Sequence, residues 1–175
     1  KTIITKASTV KDSLKDADVS VGQYDSIDPS VDSKLEDGMV IINIRRARPI
    51  LVIDGQRQVR VITAAQSASD IAKTANIQLY AEDQTTLSPV DDILASGGAG
   101  LELNIHRAKV LNMHLYGQEI LLRTQSKTVA ELLREKQISL GPDDGMNLSP
   151  NTLISEGMNL QVWRNGIQTI NSTEQ

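Results

Sequence analysis

The chain has 175 residues, a net charge of −4, no Cys, no Phe, one Trp and three Tyr. Without Cys there are no disulfides, thiolate metal sites or Cys nucleophile. The mixed, mildly acidic charge argues against a nucleic-acid partner, whose affinity rests on phosphate neutralisation by Lys and Arg. No apolar run approaches the ~20 residues of a membrane span, and a core must be built from Ile, Leu and Val.

Lys1–Thr5 (KTIIT) reads as a strand, and opening inside a strand suggests a piece of a longer protein, with any leader or anchor upstream. Thr9 is placed as an N-cap with Asp12 three residues on. Val10, Leu14 and Ala17 then give one apolar helix face. The polar stretch VSVGQYDSIDPSVDSKLEDG, with Gly22 and Pro29, reads as loop. Gly38-Met39 opens a predicted strand, MVIINIRR. Arg48–Thr63 is the clearest element: β-branched strands flank Asp54-Gly55, a dipeptide that supplies the positive φ of a tight hairpin. An Ala-rich helix follows (Ala68, Ile71, Ala72, Ala75), and SGGAG at Ser96–Gly100 reads as a lengthened turn before the strand LELNIH. Lys109–Thr124 repeats the hairpin with Tyr116-Gly117 at its turn, then comes the helix TVAELLREKQI, and Gly157-Met158 opens a last strand.

One unit of roughly 60 residues is therefore written three times, the first time without its opening strand. Thr128 matches Thr9, Leu133 matches Leu14, Gly141 matches Gly22 and Arg164 matches Arg45. The order is strand, turn, strand, helix, long loop, strand. A final strand beside the first hairpin gives a four-stranded sheet on one helix, a β-grasp or ubiquitin-like roll of the α+β class. The predicted divisions are 1–46, 47–107 and 108–164, with 165–175 as a tail. Linkers of about one residue at Ala47 and Ala108 predict an elongated, semi-rigid rod.

The helix starts TVKDSL and TVAELL, the stretches VSVGQYD and ISLGPDD, and the closings EDGMVIINIRR and SEGMNLQVWR carry a resemblance. They resemble the ubiquitin-like DUF348-type repeats that occur three in a row in resuscitation-promoting factors and related bacterial cell-wall proteins. The resemblance covers about Lys1–Arg164 and is weaker in the second repeat, which lacks the Gly-Met pair. It implies an extracellular or cell-surface setting and a non-catalytic stalk. It also implies that the tail enters an adhesive domain and that any peptidoglycan-cleaving domain lies outside this chain.

The residues themselves supply no catalytic constellation and require no cofactor. His106 and His114 lack a third ligand at zinc spacing. Asp25, Asp28 and Asp32 lack the Gly and closing Glu of a calcium loop, so turn and cap roles fit better. Gly97-Gly98 is internal, unlike the end of a sulfur carrier, and reads as turn chemistry. Basic residues recur at the junctions: Arg45, Arg46 and Arg48, then His106, Arg107 and Lys109, then Arg164. Either they form a row of sites for anionic wall polymer, or each Arg braces its junction against an acid. Exposed ion pairs are common and individually weak, which favours bracing. Trp163 is expected at the junction with whatever follows. Partners expected are a cell-wall polymer or cell-wall protein. Strand exchange between chains is a further expectation, with Ile167–Ile170 as donor and the open edge at Lys1–Thr5 as acceptor.

Overall fold

The structure is a computed structural model, and it describes residues 1–165. The chain divides into two units, one holding Lys1–Leu79 with Thr85–Ile105, the other holding Tyr80–Gln84 with the residues from His106 on.

In the first unit, α1 (Val10–Asp16) starts where the cap signal placed it: Thr9 Oγ1 accepts the Asp12 N–H at 3.2 Å. Two short strands follow, β1 (Ser26–Asp28) and β2 (Asn43–Arg45), paired antiparallel. Then come β3 (Arg48–Asp54), β4 (Arg57–Thr63), α2 (Ala68–Thr74), β5 (Gln84–Pro89) and β6 (Leu101–His106). These four strands form one sheet, ordered β4-β3-β6-β5. β3 runs antiparallel to β4 and parallel to β6, with Val52 opposite both Val59 and Leu103. Ile50, Val52, Leu103 and Ile105 point to one face and close on Ile71 and Ala72 of α2 and on Ala75, which caps it. Burying each large aliphatic side chain is worth about 1.5–3 kcal/mol, so this face sets the register.

The second unit repeats the plan with β7 (Lys109–Leu115), β8 (Gln118–Thr124), α3 (Val129–Glu135), β9 (Asp144–Met146) and β10 (Asn159–Arg164). Its order is β8-β7-β10-β9, with β10 parallel to β7. Leu111, Met113, Leu160 and Val162 pack against Val129, Leu132 and Leu133. The two hairpins turn differently. Tyr116 and Gly117 both have positive φ (50° and 87°), as a type I′ turn requires. In the other, Asp54 pairs with Arg57, and Gly55 (φ 59°) rather than Asp54 carries the positive angle, as in type II′.

The first repeat departs from expectation. Its sheet has two strands, not four, among the described residues. Lys1–Thr5 forms no strand, and of MVIINIRR only Asn43–Arg45 is strand. In the other repeats the closing strand lies against the hairpin's first strand, whereas β2 has β1 alone as partner among the described residues. The supposed loop after α1 holds β1, because Ser26–Asp28 finds a ladder partner in β2. Ile167–Ile170 lies outside the described residues.

Candidate functional site

The most elaborate polar arrangement is the same three times over. A tight turn ends each helix-to-strand passage, and its last residue is an aspartate: Asp25, Asp83 and Asp144. Each Asp N–H donates to the carbonyl three residues back, on Gly22, Tyr80 and Gly141. Each carboxylate then accepts the N–H of that same residue, at 2.8, 3.0 and 2.7 Å. Such side chain–backbone pairs are what Asp does well in turns.

In the first two, the outer side of the carboxylate grips the residues that follow the closing strand. Asp25 accepts the Ala47 N–H at 2.7 Å and the Arg46 guanidinium at 2.7 Å. Arg46 also donates to the Ser20 carbonyl at 2.7 Å. Asp83 accepts the Ala108 N–H at 2.9 Å and the Arg107 guanidinium at 2.5 Å. Asp144 takes the Tyr116 hydroxyl at 2.5 Å and Arg164 Nε at 3.4 Å, while the Asn165 N–H goes to the Asp143 carbonyl. Arg164 also stands 5.1 Å from the Tyr116 ring centre. All three carboxylates are shielded: their side chains are 8%, 0% and 3% exposed.

The electrostatics follow from these donors. The Ala47 N–H, then the Gly22 N–H and Arg46, hold Asp25 down at about 2, against an ordinary 3.8. Burial pushes Asp83 up, but the Ala108 and Tyr80 N–H groups with Arg107 outweigh it, and its pKa is lowered. Tyr116, Gly141 and then Arg164 lower Asp144, and the same contact raises Tyr116. An ionised carboxylate whose lone pairs are taken by three donors has no proton to give near neutral pH. The arrangement is suited to holding chain, not to acid–base chemistry.

The second clasp has reinforcement from the third repeat's hairpin. The Arg123 guanidinium lies 3.6 Å from the centre of the Tyr80 ring. Gln125 Nε2 donates to the carbonyls of His106 (2.8 Å) and Glu82 (3.2 Å).

Of the basic residues expected at the junctions, the structure brings Arg46, Arg107 and Arg164 onto carboxylates. Arg45 and Arg48 are exposed on β2 and β3, and Lys109 Nζ donates to the Ile154 carbonyl at 2.6 Å. The register also shifts one equivalence. Arg45 pairs with Ser26 whereas Arg164 pairs with Asp144, so the counterpart of Arg164 is Arg46. His114 Nδ1 lies 3.7 Å from Glu119, and no group of three metal-ligating side chains occurs among the described residues. Trp163 lies beside Gly145, and its Nε1 donates to Asn165 Oδ1 at 2.9 Å. The turn role expected of Asp25 is what the structure shows, and the shared spacing Gly22…Asp25 and Gly141…Asp144 is the signal in the sequence for its counterpart Asp144.

No helix among the described residues is long and apolar enough to cross a membrane. The chain is similar over most of its length to Resuscitation-promoting factor Rpf2 of Corynebacterium glutamicum: 26% identity over 163 residues, 93% of this chain and 42% of that protein. It is also similar to the Putative cell wall shaping protein YabE of Bacillus subtilis: 32% identity over 84 residues, 48% of this chain and 20% of that protein. The chain thus spans less than half the length of these curated relatives. The model of the G5-linked ubiquitin-like domain, DUF348, matches residues 1–32, 50–90 and 117–144, more than half of the chain. With a β-grasp strand order in two sheets and three matched regions, the chain belongs to the G5-linked ubiquitin-like domain family.

Proposed function

We propose that the chain is a non-catalytic spacer and adhesion stalk in a secreted or surface-anchored bacterial cell-wall-remodelling protein. Its modules, 1–46, 47–107 and 108–164, would stand in line and position an adhesive or peptidoglycan-cleaving domain outside this chain. The setting is suggested by the relatives, one named as a resuscitation-promoting factor and one as a putative cell wall shaping protein. The observation that carries the spacer reading is the clasp. Asp25 and Asp83 each bind the second backbone N–H after a closing strand, together with the Arg before it. A link tied through its own main chain cannot swing freely, which is what a stalk needs and a flexible linker lacks. On this reading Arg46, Arg107 and Arg164 serve as braces, and Arg45 and Arg48 remain for contact with anionic polymer. Purified peptidoglycan incubated with the isolated chain should release no soluble fragments; release by an enzyme-free preparation would overturn the non-catalytic assignment.

A second reading, contact with glycan or a protein partner, is favoured by one surface. The outer face of the β8-β7-β10-β9 sheet carries a polar row: Asn112 beside Asn159, His114 beside Gln161, then Trp163. Amides that hydrogen-bond and an indole that offers a flat apolar surface are the groups a neutral sugar chain needs. Trp163 is 42% exposed, so its fluorescence titrated with peptidoglycan fragments tests this directly. A saturable change lost in Gln161→Ala supports it, and a flat titration removes it.

A further inference from the structure

Each repeat leaves its helix by the same route. Asp18, Asn76 and Gln137 take positive φ (52°, 54° and 57°). The next residue then donates back into the helix: Val19 to Leu14 (2.9 Å), Ile77 to Ala72 (2.9 Å) and Ile138 to Leu133 (2.8 Å). This is the Schellman closure, and it fixes the outgoing chain against the helix. In the first repeat a surface cleft of about 460 Å³ lies between α1 and Val19–Val21. A cleft of the same volume occupies the same place in the second repeat, lined by Lys73, Asn76, Ile77 and Leu79. That repeat has its four-stranded sheet, so the cleft belongs to the helix exit and not to the number of strands.

The first cleft is charged at its rim and aliphatic at its floor. Lys11 and Lys15 stand one turn apart on α1. Asp18 comes from the exit turn, and Asp32 from the loop that the Lys11 N–H holds by the Val31 carbonyl at 2.9 Å. Among the described residues none of these four side chains makes a hydrogen bond or an ion pair. Beneath them Leu14 is buried, and Val19, Val21 and Val31 are half-buried.

Lys11 is out of place for the helix itself. It is the second residue of α1, where the unpaired N–H groups form the positive end of the dipole and disfavour a cation. The second and third repeats have Ser69 and Ala130 there. They also have Asn76 and Gln137 in place of Asp18, and the third has Asn151 in place of Asp32. The set of four charges therefore occurs in the first repeat alone. Two like charges one turn apart repel, and a residue that breaks local rules without local compensation marks a functional site.

We propose that this cleft binds a short peptide with a free ammonium and a free carboxylate on either side of an aliphatic side chain. The carboxylate meets Lys11 and Lys15, the ammonium meets Asp18 and Asp32, and the aliphatic group covers Leu14 and the three valines. The volume is that of a small-ligand site, about 300–1,000 Å³. A purely anionic polymer would meet the two aspartates, and a neutral sugar would leave all four charges unpaired. The site is formed within the first repeat and uses none of the clasp carboxylates.

The test is NMR titration of the isotope-labelled 175-residue chain with the tripeptide Ala-Leu-Ala and with its N-acetylated and C-amidated forms. Saturable shifts are expected on Lys11–Lys15, Asp18–Val21 and Val31–Asp32, with affinity at least about fivefold lower when either end is capped. Lys11→Ser, which installs the second repeat's residue, should weaken binding of the free and N-acetylated peptides but not of the C-amidated one. No saturation up to about 10 mM peptide, equal affinity for the capped forms, or shifts centred elsewhere would overturn the proposal. Competition by soluble peptides released from cell wall would place the ligand's source in the wall. Tripeptide binding without that competition would place it among free peptides, and either result upholds the assigned chemistry.

Discussion

Asp83→Ala removes an acceptor from three donors at once. The Tyr80 N–H belongs to a partly exposed turn residue and Arg107 is one-third exposed, so both can rehydrate. The Ala108 N–H cannot do so easily, because Ala108 is 4% exposed. An orphaned buried donor costs about 1–3 kcal/mol. Taking about 2 kcal/mol for the link, its local opening constant rises about 30-fold. Amide hydrogen exchange reads this residue by residue. The Ala108 amide should exchange about 30-fold faster, while Leu132 and Met113, in the core of the same unit, keep their wild-type protection. Asp83→Asn keeps one acceptor oxygen and should fall between. If Ala108 exchanges at the wild-type rate in Asp83→Ala, the carboxylate does not hold the link. If core amides accelerate equally, the aspartate supports the whole domain rather than the junction.

Gly145 and two low-pKa carboxyl groups give two further outcomes. A Cβ on Gly145 would lie 2.5 Å from Cε2 and Nε1 of Trp163, so Gly145→Ala should expel the indole. Loss of about 1–3 kcal/mol by denaturant unfolding, with a shifted Trp emission, is expected, and unchanged stability would refute the packing. Asp25 and Glu135 both sit at about 2 when folded, below their ordinary 3.8 and 4.5. For Glu135, burial pushes upward and is outweighed by the Ser126 and Thr124 hydroxyls and Lys136. A lowered carboxyl pKa contributes stability above the unfolded value and loses it as pH falls through the folded one. The thermal midpoint should therefore be level down to about pH 4.5 and drop between there and about pH 2. A level profile through that window would contradict the assigned donors.

The parts legible in the sequence were those with short-range signals. Thr9, Thr128 and the two hairpin turns announce themselves through cap and turn chemistry that neighbours within four residues decide. The alternation in RPILVID and KVLNMHL shows one buried face whatever the partner. The short strands β1 and β9 were not legible, because three residues carry no periodicity and their existence depends on a ladder partner 15 or more residues away. For the same reason Met39–Ile42 looks like strand in composition yet is none here: a strand interior needs a neighbour, and composition cannot say whether one is supplied. The candidate site was half visible. The recurring Arg is legible in the sequence, with bracing by an acid as one of its two readings. The acids that do so, Asp25, Asp83 and Asp144, were hidden as ordinary turn residues, and a one-residue slip in the closing strand disguised Arg46 as Arg45.

The spacer reading stands or falls on the shape of the chain in solution, which small-angle X-ray scattering measures directly. Three modules of about 60 residues, each with a radius of gyration of about 10 Å, placed end to end should span roughly 80 Å. The whole chain should then have a radius of gyration of about 24 Å. A value near 16 Å, that of a single globule of this length, would contradict the stalk.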